Sequence, residues 1–205
     1  MRDGACVAVA DGLGSRPQSA HGARNATTST HRAFREWCRR PDVEPIWFLR
    51  LLEARWRLAV APVSPADCST TCLFSGWTSD TGLLVAALGD GAVILRELGS
   101  PARTLSTRPT QHAIDETQAL GADHRLNDWT LLQLRPTPPW VVILATDGVA
   151  DDLDPTRLDT IADWLVNEVA PLSPPKRRAA LRNVLTSWPV PGHTDDKTLA
   201  VLMHL

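Results

Sequence analysis

The residues in this chain best suited to chemistry are carboxylates set at the ends of apolar runs. Val7-Ala8-Val9-Ala10 leads into Asp11-Gly12, Ala86-Ala87-Leu88 into Gly89-Asp90-Gly91, and Val141-Val142-Ile143-Leu144-Ala145 into Thr146-Asp147-Gly148. A further pair, Asp195-Asp196, stands just before the last apolar run, which begins at Thr198. Carboxylates at several strand ends suggest a shared oxygen-rich pocket, the ligand chemistry of Mg²⁺ or Mn²⁺. Taken singly, each Asp-Gly is also an ordinary turn, most naturally at Asp90 between two apolar runs. The strand-end copies together with a separate Asp pair exceed what turns require.

Other chemistries find less support. The six histidines, His21, His31, His112, His124, His193 and His204, show no helical metal spacing. The four cysteines, Cys6, Cys38, Cys68 and Cys72, lack the paired spacing of structural zinc and are expected as reduced, mostly buried thiols. Cys68 and Cys72 would share a face if both lay on one strand. Gly12-Leu13-Gly14 follows a strand, but Pro17 stands where a dinucleotide fingerprint needs its third glycine. Asp147-Gly148 lacks the second Asp of aspartyl-phosphate enzymes, Val149 occupying that position. The eight tryptophans fall mainly on helix stripes, which are core positions rather than a stacking platform.

The elements that must position the carboxylates read as mixed α and β. A strand over Cys6 to Ala10 is followed by a helix from about Ala20 to Arg39, with Ser19 as N-cap, apolar positions at three- and four-residue steps, and Pro41 as its stop. A second helix over Val43 to Ala61 carries Ile46, Leu49, Leu52, Trp56 and Val60 on one stripe and packs antiparallel to the first. Ser69 to Trp77, Leu83 to Leu88 and Ala92 to Leu98 are expected as an antiparallel meander. Gly99 to Asn127 reads as irregular, and Thr130 to Leu134 and Trp140 to Ala145 as strands around a proline turn. Two helices follow, the first entered at Asp154-Pro155 and the second over Pro175 to Trp188 with Leu181, Val184, Leu185 and Trp188 inward. A strand from Thr198 to His204 comes last. Strands outnumber what one face of helices covers, so two stacked sheets with helix pairs outside are expected.

Composition sets the frame. With 205 residues, 43% hydrophobic and 21% charged, the chain is expected to form one domain over residues 1–205. Its 21 basic and 23 acidic residues, net −2, provide no general field for nucleic acid or an anionic membrane, and neither is expected as a partner. No apolar run approaches the roughly 18 residues that span a bilayer. Met1-Arg2-Asp3-Gly4 lacks the apolar core of a secretion signal, so a cytoplasmic protein is expected.

The succession Val9-Ala10-Asp11-Gly12-Leu13-Gly14-Ser15, Ser69-Thr70-Thr71, Leu88-Gly89-Asp90-Gly91, Ala145-Thr146-Asp147-Gly148-Val149 and Asp195-Asp196-Lys197-Thr198 resembles the metal-dependent type 2C Ser/Thr protein phosphatases. Order and approximate spacing fit from about Val7 to Leu202, and Ser19-Ala20-His21-Gly22-Ala23-Arg24 is similar to a bacterial branch. The resemblance implies an α+β fold, a four-layer α/β/β/α sandwich of two antiparallel sheets flanked by helix pairs, with metals at one end. It implies that Asp11 bridges two metals, that the Gly12 carbonyl is a further ligand, and that Asp147 and Asp195 complete the first site. Asp195 is preferred over Asp196 because the family's ligand stands three residues before the Thr, here Thr198. Asp90 and Asp151, with Asp147, resemble the holders of a third, weaker metal; Asp151 is equally at home in the acidic helix start Asp151-Asp152-Leu153-Asp154. Ser69, Thr70 and Thr71 are expected to support the sheet.

The implied activity is a Mg²⁺- or Mn²⁺-dependent phosphoprotein phosphatase. Two ions bridged by a carboxylate lower the pKa of water for in-line attack on phosphoserine or phosphothreonine, with no protein nucleophile. The implied partners are a phosphorylated protein substrate and a Ser/Thr kinase that the activity opposes. Two departures stand against the match. Leu13 occupies the position where some members carry a His, and members normally have an earlier strand with an acidic pair, whereas Met1 lies only ten residues before Asp11. That strand is expected to be absent, leaving a short N-terminus and an unpaired edge at Cys6 to Ala10. A start placed too far downstream, a shortened chain and a chain that has lost activity all account for this. The alternative function is therefore a catalytically weak pseudophosphatase that binds a phosphoprotein or another partner.

Overall fold

The computed structural model describes residues 4–40, 42–106, 118–188 and 196–205. Among these residues, eight strands form two antiparallel four-stranded sheets, ordered β1-β2-β3-β6 and β5-β4-β7-β8. The first contains β1 (Gly4–Val9), β2 (Cys72–Thr78), β3 (Gly82–Leu88) and β6 (Thr130–Leu134); the second contains β4 (Ala92–Glu97), β5 (Arg103–Thr104), β7 (Trp140–Ala145) and β8 (Leu199–His204). Helices α1 (Ser19–Trp37) and α2 (Ile46–Val60) pack on each other over the first sheet. The second sheet is covered by α4 (Leu158–Trp164) and α5 (Pro174–Thr186), and a short α3 (Asp147–Ala150) follows β7. The four-layer α+β sandwich is the architecture expected.

Burial explains the patterns. In β3, Leu84, Ala86 and Leu88 enter the core beneath α1 and α2, while Leu83, Val85 and Ala87 face the second sheet, so the strand is apolar throughout. Phe74 anchors the helix layer, its ring centroid 5.1 Å from Phe34 and 4.7 Å from Phe48. In β8, Ala200 and Leu202 face the other sheet, and Leu199, Val201 and Met203 face the helices.

The expected meander is corrected. β2 and β3 pair with each other, but β4 leaves for the second sheet and pairs with β7. The crossing is made at Gly89-Asp90-Gly91, where Gly89 has φ +108° and a Cβ on Gly91 would lie 2.6 Å from the Ala145 carbonyl oxygen. Ser19 is not a cap but the first helical residue, and the Gln18 N–H before it donates to the Asp67 carbonyl. The helix ends at Trp37, and Pro41 lies outside the described residues. Cys68 closes a 3₁₀ turn over Pro65–Cys68, so it shares no strand face with Cys72. Asp154 accepts the Thr156 N–H as an N-cap, but of a 3₁₀ turn that leads into α4. From Leu165 to Val169 α4 continues as a π turn, the Ala170 N–H reaching back to the Leu165 carbonyl. α5 has no fully buried residue; Leu181, Val184, Leu185 and Trp188 are only half-buried. β1 is an outer strand of its sheet among the described residues.

Candidate active site

Four carboxylates stand at strand ends on the same side of the sandwich. Asp11 follows β1, Asp90 follows β3, Asp147 follows β7, and Asp196 precedes β8. Asp11, Gly12, Asp90, Asp147 and Asp196 line one pocket of about 430 Å³, together with Leu13, Gly14 and Thr71. Asp11, Asp90 and Asp147 are half-buried and Asp196 is exposed. Asp195 lies outside the described residues. Asp151 does not line the pocket; it is exposed, one helical turn beyond Asp147, with its N–H donating to the Asp147 carbonyl.

Threonines fix these positions through backbone atoms. The Asp11 N–H donates to Thr71 Oγ1 at 3.0 Å, and the Asp11 carbonyl accepts from the Thr71 N–H and from Thr70 Oγ1, both at 2.8 Å. The Leu13 N–H donates to the Ser69 carbonyl at 3.0 Å, so residues 69–71 hold both sides of the Asp11-Gly12 turn. Thr70 in turn exchanges both main-chain hydrogen bonds with Leu120. A side chain at Gly12 would meet Ser19 at 2.7 Å, which is how closely the start of α1 approaches the turn. Across the pocket, the Thr146 N–H donates to the Thr198 carbonyl and the Thr198 N–H to Thr146 Oγ1, each at 3.1 Å. This ring ties the end of β7 to the segment that carries Asp196. The Gly148 N–H donates to Asp147 Oδ1 at 2.8 Å, fixing that carboxylate at the start of α3.

The donor set fits a hard divalent cation. Among the described residues every side-chain donor in the lining is an oxygen, with no imidazole or thiol, which favours Mg²⁺ or Mn²⁺ over zinc. Among the described residues no three His, Cys, Asp or Glu stand close enough to hold an ion, so the carboxylates ring the wall rather than close a cage. No cysteine lines the pocket among the described residues. The four cysteines are free, and burial pushes Cys6, Cys38 and Cys72 up to about 11, which keeps them protonated at neutral pH.

Sequence reasoning missed Thr71 and Asp196 as wall residues. The signal for Thr71 was a run of three hydroxyl residues at a strand start; once buried, such hydroxyls must find partners, and here these are the main-chain groups of Asp11. Asp196 was passed over because a fixed offset from Thr198 pointed one residue earlier.

A family profile described as protein phosphatase 2C matches residues 1–186. No curated protein matches the chain. Among solved structures, the PPM Ser-Thr phosphatase MsPP from Mycobacterium smegmatis, in complex with cacodylate, is similar over 97% of this chain and 90% of its own, at 20% identity and a TM-score of 0.63. A stage II sporulation E family protein from Thermanaerovibrio acidaminovorans is similar over 98% and 96%, at 16% identity and a TM-score of 0.58. The catalytic domain of the phosphatase PstP, in complex with two manganese ions, is similar over 97% and 86%, at 16% identity and a TM-score of 0.59.

Proposed function

The chain belongs to the protein phosphatase 2C family, and on that premise we propose that it is a Mg²⁺- or Mn²⁺-dependent phosphatase hydrolysing phosphoserine and phosphothreonine in proteins, opposing a Ser/Thr kinase in the cytoplasm. The observation that carries the reading is the convergence of Asp11, Gly12, Asp90, Asp147 and Asp196 on one pocket. The cations would be held by Asp11, the Gly12 carbonyl, Asp147 and Asp195, with Asp90 and Asp151 serving a further ion. Bound divalent cations supply the charge that makes hydroxide available near neutral pH and neutralises phosphoryl oxygens.

The chain's own residues contribute placement. Thr70 and Thr71 lock the main chain of Asp11, and the Thr146–Thr198 ring locks the opposite wall, so little reorganisation is needed when charge develops. Half-burial of Asp11, Asp90 and Asp147 keeps them partly out of water, where their attraction for cations is stronger. Among the described residues the lining offers no thiol or imidazole, in keeping with attack by water.

Manganese-stimulated turnover of p-nitrophenyl phosphate and of a phosphothreonine peptide tests the proposal, with Asp147→Asn expected to reduce both by on the order of a hundredfold. Absence of metal-dependent turnover would support a second reading, a catalytically weak form that binds a phosphoprotein. The observation on that side is that no three described acidic, His or Cys side chains close around one point.

A further inference from the structure

A second concavity, of about 610 Å³, runs between α5 and β8. Its floor is apolar: Leu199, Val201 and Met203 project from one face of β8 at strand spacing and are only half-buried, because α5 covers them only in part. Its rim is cationic. Arg178 and Arg182 line it from α5 and Lys197 from the approach to β8, and among the described residues no acidic side chain lines it, although the chain as a whole is net −2. These three cations form no ion pair with a described residue, whereas Arg177 is committed to the Leu172 and Ala170 carbonyls at the end of the preceding helix.

We propose that this groove docks an extended acidic segment of the phosphoprotein substrate, in which carboxylates alternate with apolar side chains. The word substrate rests on the phosphatase reading above; the acidic segment rests on the groove. Among the described residues β8 is the outermost strand of its sheet, so its outer main-chain edge can pair with an added strand. Arg178 and Arg182 are one helical turn apart, a rise of about 6 Å. Alternate residues of an extended chain repeat every ~6.7 Å, so successive carboxylates meet successive arginines while the side chains between them meet the floor. Nucleic acid fits the same charge poorly, since among the described residues the lining has no aromatic ring on which a base would stack. The groove also leads to the chemistry: Lys197 lines it, and the adjacent Asp196 lines the carboxylate pocket.

The test uses the whole chain and a short fluorescent peptide of alternating glutamate and valine, unphosphorylated, with a glutamine-for-glutamate version as control. Anisotropy should show the glutamate peptide binding at least about tenfold more tightly than the glutamine one, with the difference shrinking as salt rises. Arg178→Glu/Arg182→Glu, both at exposed positions, should lose about tenfold in that binding while p-nitrophenyl phosphate turnover stays at the parent level. Equal binding of the two peptides, no effect of the charge reversal, or displacement of the peptide by a single-stranded oligonucleotide as readily as by unlabelled peptide overturns the proposal. If turnover is intact and the peptides bind alike, the groove assignment fails alone. If metal-dependent turnover is absent yet the glutamate peptide binds selectively, the phosphatase reading fails and the acidic-segment site stands.

Discussion

Replacing Thr71 by valine tests how the site is built. Valine keeps the shape and the methyl that packs against Gly89, but removes the oxygen that accepts the Asp11 N–H at 3.0 Å. Thr71 is buried, so the orphaned N–H has poor access to water, and the expected cost is about 1–3 kcal/mol. For a chain of this size each kcal/mol moves the melting temperature by roughly 2–4 °C, giving a drop of about 2–12 °C. The functional effect is separate. Thr71 acts as a positioning residue through Asp11, so half-saturation by Mn²⁺ in the phosphatase assay should rise about 10–100-fold, with turnover at saturating Mn²⁺ much less affected. Thr71→Ser, which restores the hydroxyl, should recover the Mn²⁺ dependence. Ser75→Ala is the contrasting control: its buried hydroxyl has no hydrogen-bond partner among the described residues, so its loss should leave the melting temperature unchanged or raised. A Thr71→Val protein whose Mn²⁺ titration overlays that of the parent would refute the idea that this hydroxyl sets the carboxylate.

Gly22→Ala should destabilise the protein by several kcal/mol even though alanine is the better helix former by about 1 kcal/mol, because its Cβ would lie 1.8 Å from the Cys68 carbonyl oxygen; thermal melting checks the sign. His124 Nε2 donates to Glu53 Oε1 at 2.9 Å, and Trp129 Nε1 donates to the same oxygen. The Glu53 hydrogen bond raises the His124 pKa against the effect of burial, while burial of Glu53 is outweighed by its bonds to His124 and Trp129, which leave its pKa lowered. The His124 contribution is therefore complete below its unfolded pKa near ~6.5 and fades as pH rises through the higher folded value; that of Glu53 is complete above ~4.3 and fades as pH falls. The melting temperatures of parent and His124→Ala should accordingly differ most between these limits and converge at higher pH.

How much of this was readable in advance depends on whether a feature is local. The Asp-Gly strand ends, the stripe Leu49, Leu52, Trp56 and Val60, and the strand Trp140–Ala145 are written in short-range pattern, and the structure follows them. The partner of β4 is not, because β3, β4 and β7 are all apolar on both faces and periodicity does not say which sheet a strand joins. The stripe of α5 announces an inward face but not its depth, which is set by how far the helix stands off β8. The π turn at Leu165–Val169 left no trace in the spacing of apolar residues. Thr71 was legible as a residue type and illegible as a contact, since its partner lies 60 positions away.

The two ends of the sandwich are made of opposite materials. Far from the pocket, Trp77 of one sheet lies 6.4 Å from Trp140 of the other, and the His204 ring stacks on Trp140 at 14° between their planes. At the pocket end, Asp11 and Asp90 extend from the first sheet and Asp147 and Asp196 belong to the second, so like charges face each other across the seam. The seam is thus closed by aromatic rings at one end and lined by carboxylates at the other. Added Mn²⁺ should quieten amide exchange at Asp11 and Thr146 and leave the rates at Trp77 and Trp140 as they were.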